Sequence, residues 1–141
     1  MKPKKSVKEL VAEAEAQIET WDAKTAIAHR ADADVQFVDI RDVRELWREG
    51  GIPGALHTPR GMLEFWVDPQ SKYAKAVFQS GKRFVFFCAG GWRSALATKT
   101  VQDMGLAPVC HIRGGYAAWK EAGGPTVPVE QKPPSVASKV S

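Results

Sequence analysis

Residues 85–96 have the sequence VFFCAGGWRSAL, in which an apolar run ends at Cys88 and a glycine pair follows one residue later. The run begins at Arg83 and has no polar face, which is typical of a parallel strand covered on both sides. Helical spacing of apolar residues resumes after Ser94 and stops at Gly105. This strand, loop and helix predict the centre of an α/β sheet, with Cys88 at the carboxyl end of its central strand.

The rest of the chain repeats this alternation. β-Branched and aromatic runs predict strands over residues 34–40, 55–58, 83–88 and 107–112. Helical spacing and cap signals predict helices over residues 7–21, 22–30, 41–49, 62–67, 73–79, 94–104 and 116–122. The first helix opens with a capping box formed by Ser6 and Glu9. Strands alternating with helices predict a mainly parallel sheet with helices on both faces.

Length and composition limit the class of protein. With 141 residues, 44% of them hydrophobic and 26% charged, the chain is long enough for one domain with a substantial core. No apolar run approaches the roughly 20 residues that a membrane span needs. The basic start is not followed by an apolar stretch, so no secretory signal is visible and the cytoplasm is expected.

The net charge of +4 comes from the first eight residues, which hold Lys2, Lys4, Lys5 and Lys8 and no acid. The other 16 basic and 16 acidic residues cancel. A basic surplus confined to one end is usually a solvated segment, so nucleic-acid binding is not predicted. The two cysteines form neither a CxxC pair nor a cluster with histidine, so no dithiol redox site, metal or cofactor is expected.

The position of Cys88 favours a reactive thiolate. Gly90 and Gly91 allow consecutive backbone amides to curl into an anion-binding nest, and the helix that begins near Arg93 adds its positive end. Thiols at helix N-termini or beside arginine ionise well below the usual pKa of about 8.5. The alternative is a buried structural cysteine, but a core position gains nothing from the following glycine pair, arginine and serine.

Four separated motifs resemble those of single-domain rhodaneses, a sulfurtransferase family. Residues 38–41 resemble the V-D-x-R turn of that family, and residues 51–55 resemble its H-I-P-G-A segment. Residues 88–94 resemble its active-site loop, C-x4-R-S, and residues 114–119 resemble its closing G-G-x-x-x-W motif. The resemblance implies a three-layer α/β/α sandwich over residues 22–124. It leaves residues 1–21 as a basic start with an extension helix and residues 125–141 as a flexible tail rich in Pro and Ser.

The resemblance also implies an activity. Cys88 would take a sulfane sulfur from a donor such as thiosulfate, carry it as a persulfide and pass it to cyanide or a thiol. The persulfide-binding residues would be those of the loop, namely Ala89, Gly90, Gly91, Trp92, Arg93 and Ser94. Asp39 and Arg41 would form a structural ion pair at a strand end.

Two details of the motifs bear on specificity. Gly51 stands where the family usually has histidine, so the local packing must differ. Related phosphatases and arsenate reductases have C-x5-R loops, one residue longer, that admit a larger tetrahedral anion. Here four residues separate Cys88 from Arg93, which favours sulfur over phosphate.

Several side chains keep two interpretations. Arg93 either holds an anionic donor or braces the loop, and Arg60 either reaches the mouth of the site or is a solvated loop residue. Trp92 could form an aromatic rim with Phe65 and Trp66, although these two could be ordinary core. Such a rim would suit an alternative function, a sulfur-relay or binding module that acts with a partner protein.

The remaining candidates are expected to be structural. His29, His57 and His111 are scattered along the chain, and Cys110 lies inside a predicted strand, where a buried and inert thiol is expected. The apolar stripe of the first helix must be covered, either by its own domain in a monomer or by a second copy in a homodimer.

Overall fold

The sheet has five strands, all parallel, in the order β1-β5-β4-β2-β3. The structure is a computed structural model, and it describes residues 1–132. The strands are β1 (Glu19–Trp21), β2 (Val35–Asp39), β3 (Leu56–His57), β4 (Arg83–Phe87) and β5 (Val109–Ile112). The α-helices are α1 (Val7–Glu15), α2 (Ala23–Ala28), α3 (Val43–Glu49), α4 (Leu63–Val67), α5 (Trp92–Asp103) and α6 (Gly115–Glu121). Short 3-10 helices cover Arg60–Met62 and Ala76–Gln79.

The central strand β4 divides the core into two layers. Side chains alternate along a strand, so Phe84, Phe86 and Cys88 belong to one layer, which also contains residues of α4 and α5. Val85 and Phe87 belong to the opposite layer, which contains residues of α2 and α6. Helices therefore cover both faces, and the α/β/α prediction is confirmed.

The register places Cys88 where ligands collect in such sheets. In β4, Phe86 lies opposite Val38 of β2 and His111 of β5, so all three strands end at nearly the same level. Parallel α/β sheets bind ligands outside the carboxyl ends of their strands. Cys88 follows the last residue of β4 at this edge.

The prediction of one helix over residues 7–21 is wrong at its end. The helix α1 stops at Glu15, and Glu19–Trp21 forms the edge strand β1, which pairs with β5. Three backbone pairings with β5 outweigh the helical spacing of these residues. The helix α1 buries Val11 and Ala14 in a cluster with Ala95 of α5, whereas Val7 and Leu10 of the same stripe stay exposed.

Three smaller corrections concern other elements. In the segment predicted as a helix over residues 73–79, only Ala76–Gln79 is helical, as a 3-10 helix. Phe78 is the only buried residue of this helix, so burial would stabilise a longer helix very little. The helix α5 begins at Trp92 rather than Ser94. Part of the segment placed in a tail contributes to the fold, because Val127 and Gly51 exchange two backbone hydrogen bonds of 2.9 Å. Residues 133–141 lie outside the described residues.

In the described part of the chain, no helix has the length and apolar character required to cross a membrane.

The division of the chain at residues 22 and 124 stays a prediction. The strand β1 lies before the first limit and Val127 after the second, and both pair with the central domain.

Candidate active site

The sulfur of Cys88 lies against the start of α5. The backbone amide of Gly91 donates to Sγ at 3.1 Å, and that of Ser94 donates at 3.4 Å. The hydroxyl oxygen of Ser94 lies 3.5 Å from the same sulfur. Cys88 is only 1% exposed. The structure thus surrounds a buried sulfur with hydrogen-bond donors, which is the environment that stabilises an anion.

The glycine at the turn is required by the backbone. Gly91 has a φ of 104° and is the N-cap of α5. A side chain there would place its Cβ 3.1 Å from the amide nitrogen of Gly114. The left-handed turn sends the chain directly from β4 into a 12-residue helix, whose first amides have no partner within the helix. These amides and the helix dipole face the cysteine loop.

The second glycine pair, Gly114 and Gly115, lets the start of α6 hold the cysteine loop through backbone hydrogen bonds. The amide of Tyr116 donates to the carbonyl oxygen of Cys88 at 2.8 Å, and the amide of Ala117 donates to that of Ala89 at 3.1 Å. This close approach is possible only beside glycine, since a Cβ on Gly115 would lie 2.4 Å from the Cys88 oxygen. These two carbonyl groups are bonded to α6, while the amides of Gly91 and Ser94 donate to the sulfur.

Arg93 is held by a carboxylate that the sequence analysis did not identify. Its two terminal nitrogens donate to the two carboxylate oxygens of Glu45 in α3, each at 2.9 Å. These hydrogen bonds are the main cause of the raised pKa of Arg93, and a Cys88 thiolate adds a smaller contribution. The same pair lowers the pKa of Glu45. Of the two interpretations of Arg93, this geometry favours the bracing one, although 44% of the side chain stays exposed.

The ion pair predicted between Asp39 and Arg41 is present and buried. The two side chains are 2% and 0% exposed, and their closest atoms lie 2.7 Å apart. Arg41 also donates to the carbonyl oxygen of Gly50 at 2.8 Å, and its guanidinium lies 4.3 Å from the centroid of the Tyr116 ring. These contacts connect the end of β2 to α6, which favours a structural role. A Cβ on Gly51 would face Val129 at 3.5 Å, so the C-terminal segment covers this position.

Arg60 is paired with a carboxylate of its own segment. Its Nη1 donates to Glu64 at 2.7 Å, one helical turn away, and no hydrogen bond joins it to the loop among the described residues. Phe65 is 52% exposed and Trp92 is 51% exposed, so Phe65 is not a core residue. Trp66 packs against the core layer of Cys88, with Lys75 over its ring at 4.7 Å. Of the three side chains in the predicted rim, Trp92 and Phe65 are therefore the exposed ones.

His111 is the residue whose placement the sequence analysis missed. It lies on the same face of the sheet as Cys88, and its Nδ1 is 3.0 Å from the Ser94 hydroxyl oxygen. Its Nε2 is buried and has no hydrogen-bond partner among residues 1–132. Burial lowers its pKa to about 4, with help from the charge of Arg113. Alternation in β5 shows only that Cys110 and His111 point to opposite faces, and the register with β4 is needed to place His111 on the face of Cys88.

The contacts of His29, His57 and Cys110 fit the structural roles predicted for them. His29 pairs with Asp32 on the surface, and His57 bonds through Nε2 to the carbonyl oxygen of Arg41 at 2.7 Å. Cys110 is free and buried, and desolvation raises its pKa to about 12. Within the described residues, no group of three His, Cys, Asp or Glu side chains is arranged to hold a metal ion.

Comparison with known proteins identifies this architecture. Residues 22–122 match the Rhodanese-like domain family, which is most of the chain. The chain belongs to the rhodanese family. Rhodanese relatives include a protein named sulfurtransferase from Allochromatium vinosum, 32% identical over 69% of this chain and 82% of its own length. A mouse thiosulfate sulfurtransferase/rhodanese-like domain-containing protein is 30% identical over 61% of this chain. The match covers 58% of the mouse protein's length, and a Synechocystis relative is matched over 60% of its length.

Solved structures agree on the fold. A protein of unknown function from Rhodopseudomonas palustris, described as a possible tyrosine phosphatase, is 55% identical with a TM-score of 0.88. That similarity covers 90% of this rhodanese and 98% of the other chain. A thiosulfate sulfurtransferase from Pseudomonas aeruginosa is 27% identical with a TM-score of 0.66, and the match covers 86% of this chain and 22% of the other.

Proposed function

We propose that this rhodanese is a sulfurtransferase in which Cys88 carries the transferred sulfur. In the first half-reaction, the Cys88 thiolate attacks the outer sulfur of thiosulfate and the S–S bond to the sulfonate breaks, which leaves a Cys88 persulfide and releases sulfite. In the second, cyanide attacks the outer sulfur of the persulfide, which releases thiocyanate and restores the thiolate. A thiolate acceptor takes the same sulfur as its own persulfide.

The observation that carries this proposal is the set of donors around one sulfur. Two backbone amides reach Cys88 Sγ at 3.1 and 3.4 Å, and the N-terminus of α5 adds a positive potential. Such donors stabilise negative charge on the sulfur without a histidine acting directly on it. The other loop amides, those of Gly90, Trp92 and Arg93, are the groups proposed to bind the outer sulfur of the persulfide.

The size of the loop argues against phosphoryl transfer, the activity suggested for the Rhodopseudomonas palustris protein. Only four residues lie between Cys88 and Arg93. Arg93 is also paired with Glu45 through two hydrogen bonds, so its guanidinium is not free to hold a phosphate dianion. The single outer sulfur of a persulfide needs less space inside the loop than a tetrahedral phosphate and does not need the arginine fork.

Access to the sulfur is restricted. Cys88 is 1% exposed, whereas Gly90 and Trp92 in the same loop are exposed. We propose that the donor reaches the sulfur past Gly90 and Trp92, and that Trp92 excludes water from the persulfide.

Steady-state kinetics test the proposal. Thiocyanate formation is measured while thiosulfate and cyanide are varied together. Parallel double-reciprocal lines are expected, because the first product leaves before the acceptor binds. The variant Cys88→Ser should form no thiocyanate, and Cys110→Ser should keep the wild-type rate. Activity in Cys88→Ser, or release of phosphate from a phosphotyrosine peptide instead, would refute the proposal.

A second function is favoured by the two exposed aromatic side chains, Trp92 and Phe65, which are 51% and 52% exposed. A relative from Bacillus subtilis is named a putative sulfur carrier protein and is 26% identical over 63% of this chain. In this alternative, the persulfide of Cys88 passes to or from a partner protein that docks on these aromatic side chains. The substitution Phe65→Ser would then slow transfer with the protein partner and leave the thiosulfate reaction unchanged. A Phe65→Ser variant that transfers sulfur with the protein partner at the wild-type rate would exclude docking through Phe65.

A further inference from the structure

We propose that His111 is a positioning residue that directs the Ser94 hydroxyl hydrogen onto the sulfur of Cys88. This inference rests on the proposed function, in which that sulfur is anionic. It assigns a task to a buried histidine that the loop motif does not contain. The histidine acts only through Ser94 and does not touch the sulfur.

The three residues form a continuous buried chain. The distance from Cys88 Sγ to Ser94 Oγ is 3.5 Å, and the distance from Ser94 Oγ to His111 Nδ1 is 3.0 Å. Ser94 is 0% exposed and His111 is 1% exposed. The arrangement follows from the parallel register, which pairs Phe86 with His111 and so brings the end of β5 beside the cysteine loop.

The tautomer of His111 follows from its other nitrogen. Nε2 is buried without a partner among the described residues. A buried N–H without an acceptor is rarer, and costs more, than an acceptor that receives no hydrogen bond. The proton of the neutral ring therefore belongs on Nδ1, where it is donated to Ser94 Oγ. Because burial lowers the pKa of His111 to about 4, the ring is neutral at pH 7.

This tautomer limits what the serine hydroxyl can do. Since His111 Nδ1 carries a hydrogen, the Ser94 hydroxyl cannot donate to it. Two acceptors remain, the carbonyl oxygen of Gly91 at 3.3 Å and Cys88 Sγ at 3.5 Å. Hydrogen bonds to a charged acceptor are roughly twice as strong as neutral ones, so an anionic sulfur takes the hydrogen. The opposite tautomer would accept the Ser94 hydrogen and take it away from the sulfur.

Charged side chains from several elements face Cys88 and His111. Arg93 in α5 faces Cys88 and is itself paired with Glu45 of α3, while Arg113 at the end of β5 faces His111. The charge of Arg113 opposes a positive charge on His111. It favours the neutral ring and leaves the Ser94 hydroxyl as the link to the sulfur.

The first test measures how fast iodoacetamide alkylates Cys88 as the pH is raised. His111→Leu removes the donor to Ser94, and the alkylation rate on the rising part of the pH profile should fall about threefold to tenfold. His111→Asn keeps an amide donor near the Nδ1 position and should recover most of the rate. The double variant Ser94→Ala/His111→Leu should match Ser94→Ala alone, because the histidine acts only through the serine.

An additive loss in the double variant, or an unchanged profile in His111→Leu, would overturn the proposal. The alkylation readout does not involve a sulfur donor, so it can succeed even if sulfur transfer fails. The proposed function and this inference are therefore tested separately.

The second test needs no substitution that could unfold the protein. Long-range proton–nitrogen spectra of the wild type at pH 7 report which ring nitrogen of each histidine is protonated. His111 should carry its proton on Nδ1. His57 serves as the internal contrast, since its Nε2 faces the Arg41 carbonyl oxygen and should hold the proton. A proton on Nε2 of His111 would overturn the proposal.

Discussion

The substitution Gly115→Ala tests how the closing glycine pair positions the cysteine loop. A Cβ at this position would lie 2.4 Å from the carbonyl oxygen of Cys88 and 2.8 Å from the carbonyl carbon and oxygen of Ala89. All three atoms belong to the backbone, so no side chain can rotate away. The loop must move from α6, which breaks the hydrogen bonds that Tyr116 and Ala117 donate to it.

The expected magnitude has two parts. Gly115 has a φ of 60°, and alanine in the left-handed region costs about 1–2 kcal/mol. Forcing an extra carbon into packed backbone costs about 1–3 kcal/mol more. Gly123 supplies the matched control, since its φ is 86° and nothing lies within 4 Å of its Cβ position. Gly123→Ala should therefore show the first cost without the second.

Two measurements separate these costs. Thermal unfolding should place Gly115→Ala below Gly123→Ala by about 3–10 °C for a chain of this size. Thiocyanate formation should fall about 100-fold in Gly115→Ala, because a displacement of about 1 Å at a reacting group has an effect of that order. It should stay near wild type in Gly123→Ala. Equal stability and equal activity in the two variants would refute the claim that α6 positions the loop.

Three further predictions concern ionisable groups. Glu45→Gln keeps the capping hydrogen bond but removes the ion pair that braces Arg93, so thiocyanate formation should fall about threefold and the free energy of unfolding by about 1 kcal/mol; an unchanged rate would show that the pair does not brace the loop. Because the pKa of His111 falls to about 4 on folding, stability should decrease as the pH drops from about 6.5 to about 4, by up to roughly 3 kcal/mol. Urea unfolding at pH 7 and pH 4.5 should show this loss in the wild type and less of it in His111→Asn. Cys110, with its pKa near 12, should resist alkylation at pH 8 in folded Cys88→Ser, and rapid labelling would contradict its burial.

The central part of the fold was predictable because local and long-range preferences agree there. The run at residues 83–88 is apolar on both faces, and its glycine pair precedes a helix, so strand, turn and helix follow from the sequence. The buried ion pair of Asp39 and Arg41 was predictable for a similar reason, since carboxylate and guanidinium flank a strand end two residues apart.

The rest depended on contacts between distant segments. Residues 19–21 continue a helical pattern and become strand β1 only because β5 offers an edge for pairing. Glu45 lies 48 positions from Arg93, and nothing in the local sequence of either indicates the pair. His111 is 17 positions from Ser94, and its approach follows from the register of β4 and β5, which sequence patterns leave undetermined.

The most direct test of sulfur transfer through Cys88 is the intact mass of the protein after treatment with thiosulfate and removal of the excess. The wild type should gain the mass of one sulfur atom and lose it when cyanide is added, while thiocyanate appears in equal amount. Cys88→Ser should gain nothing under the same conditions. A wild-type protein that never gains sulfur from thiosulfate or another sulfane donor, or a Cys88→Ser variant that does, would contradict the proposed function.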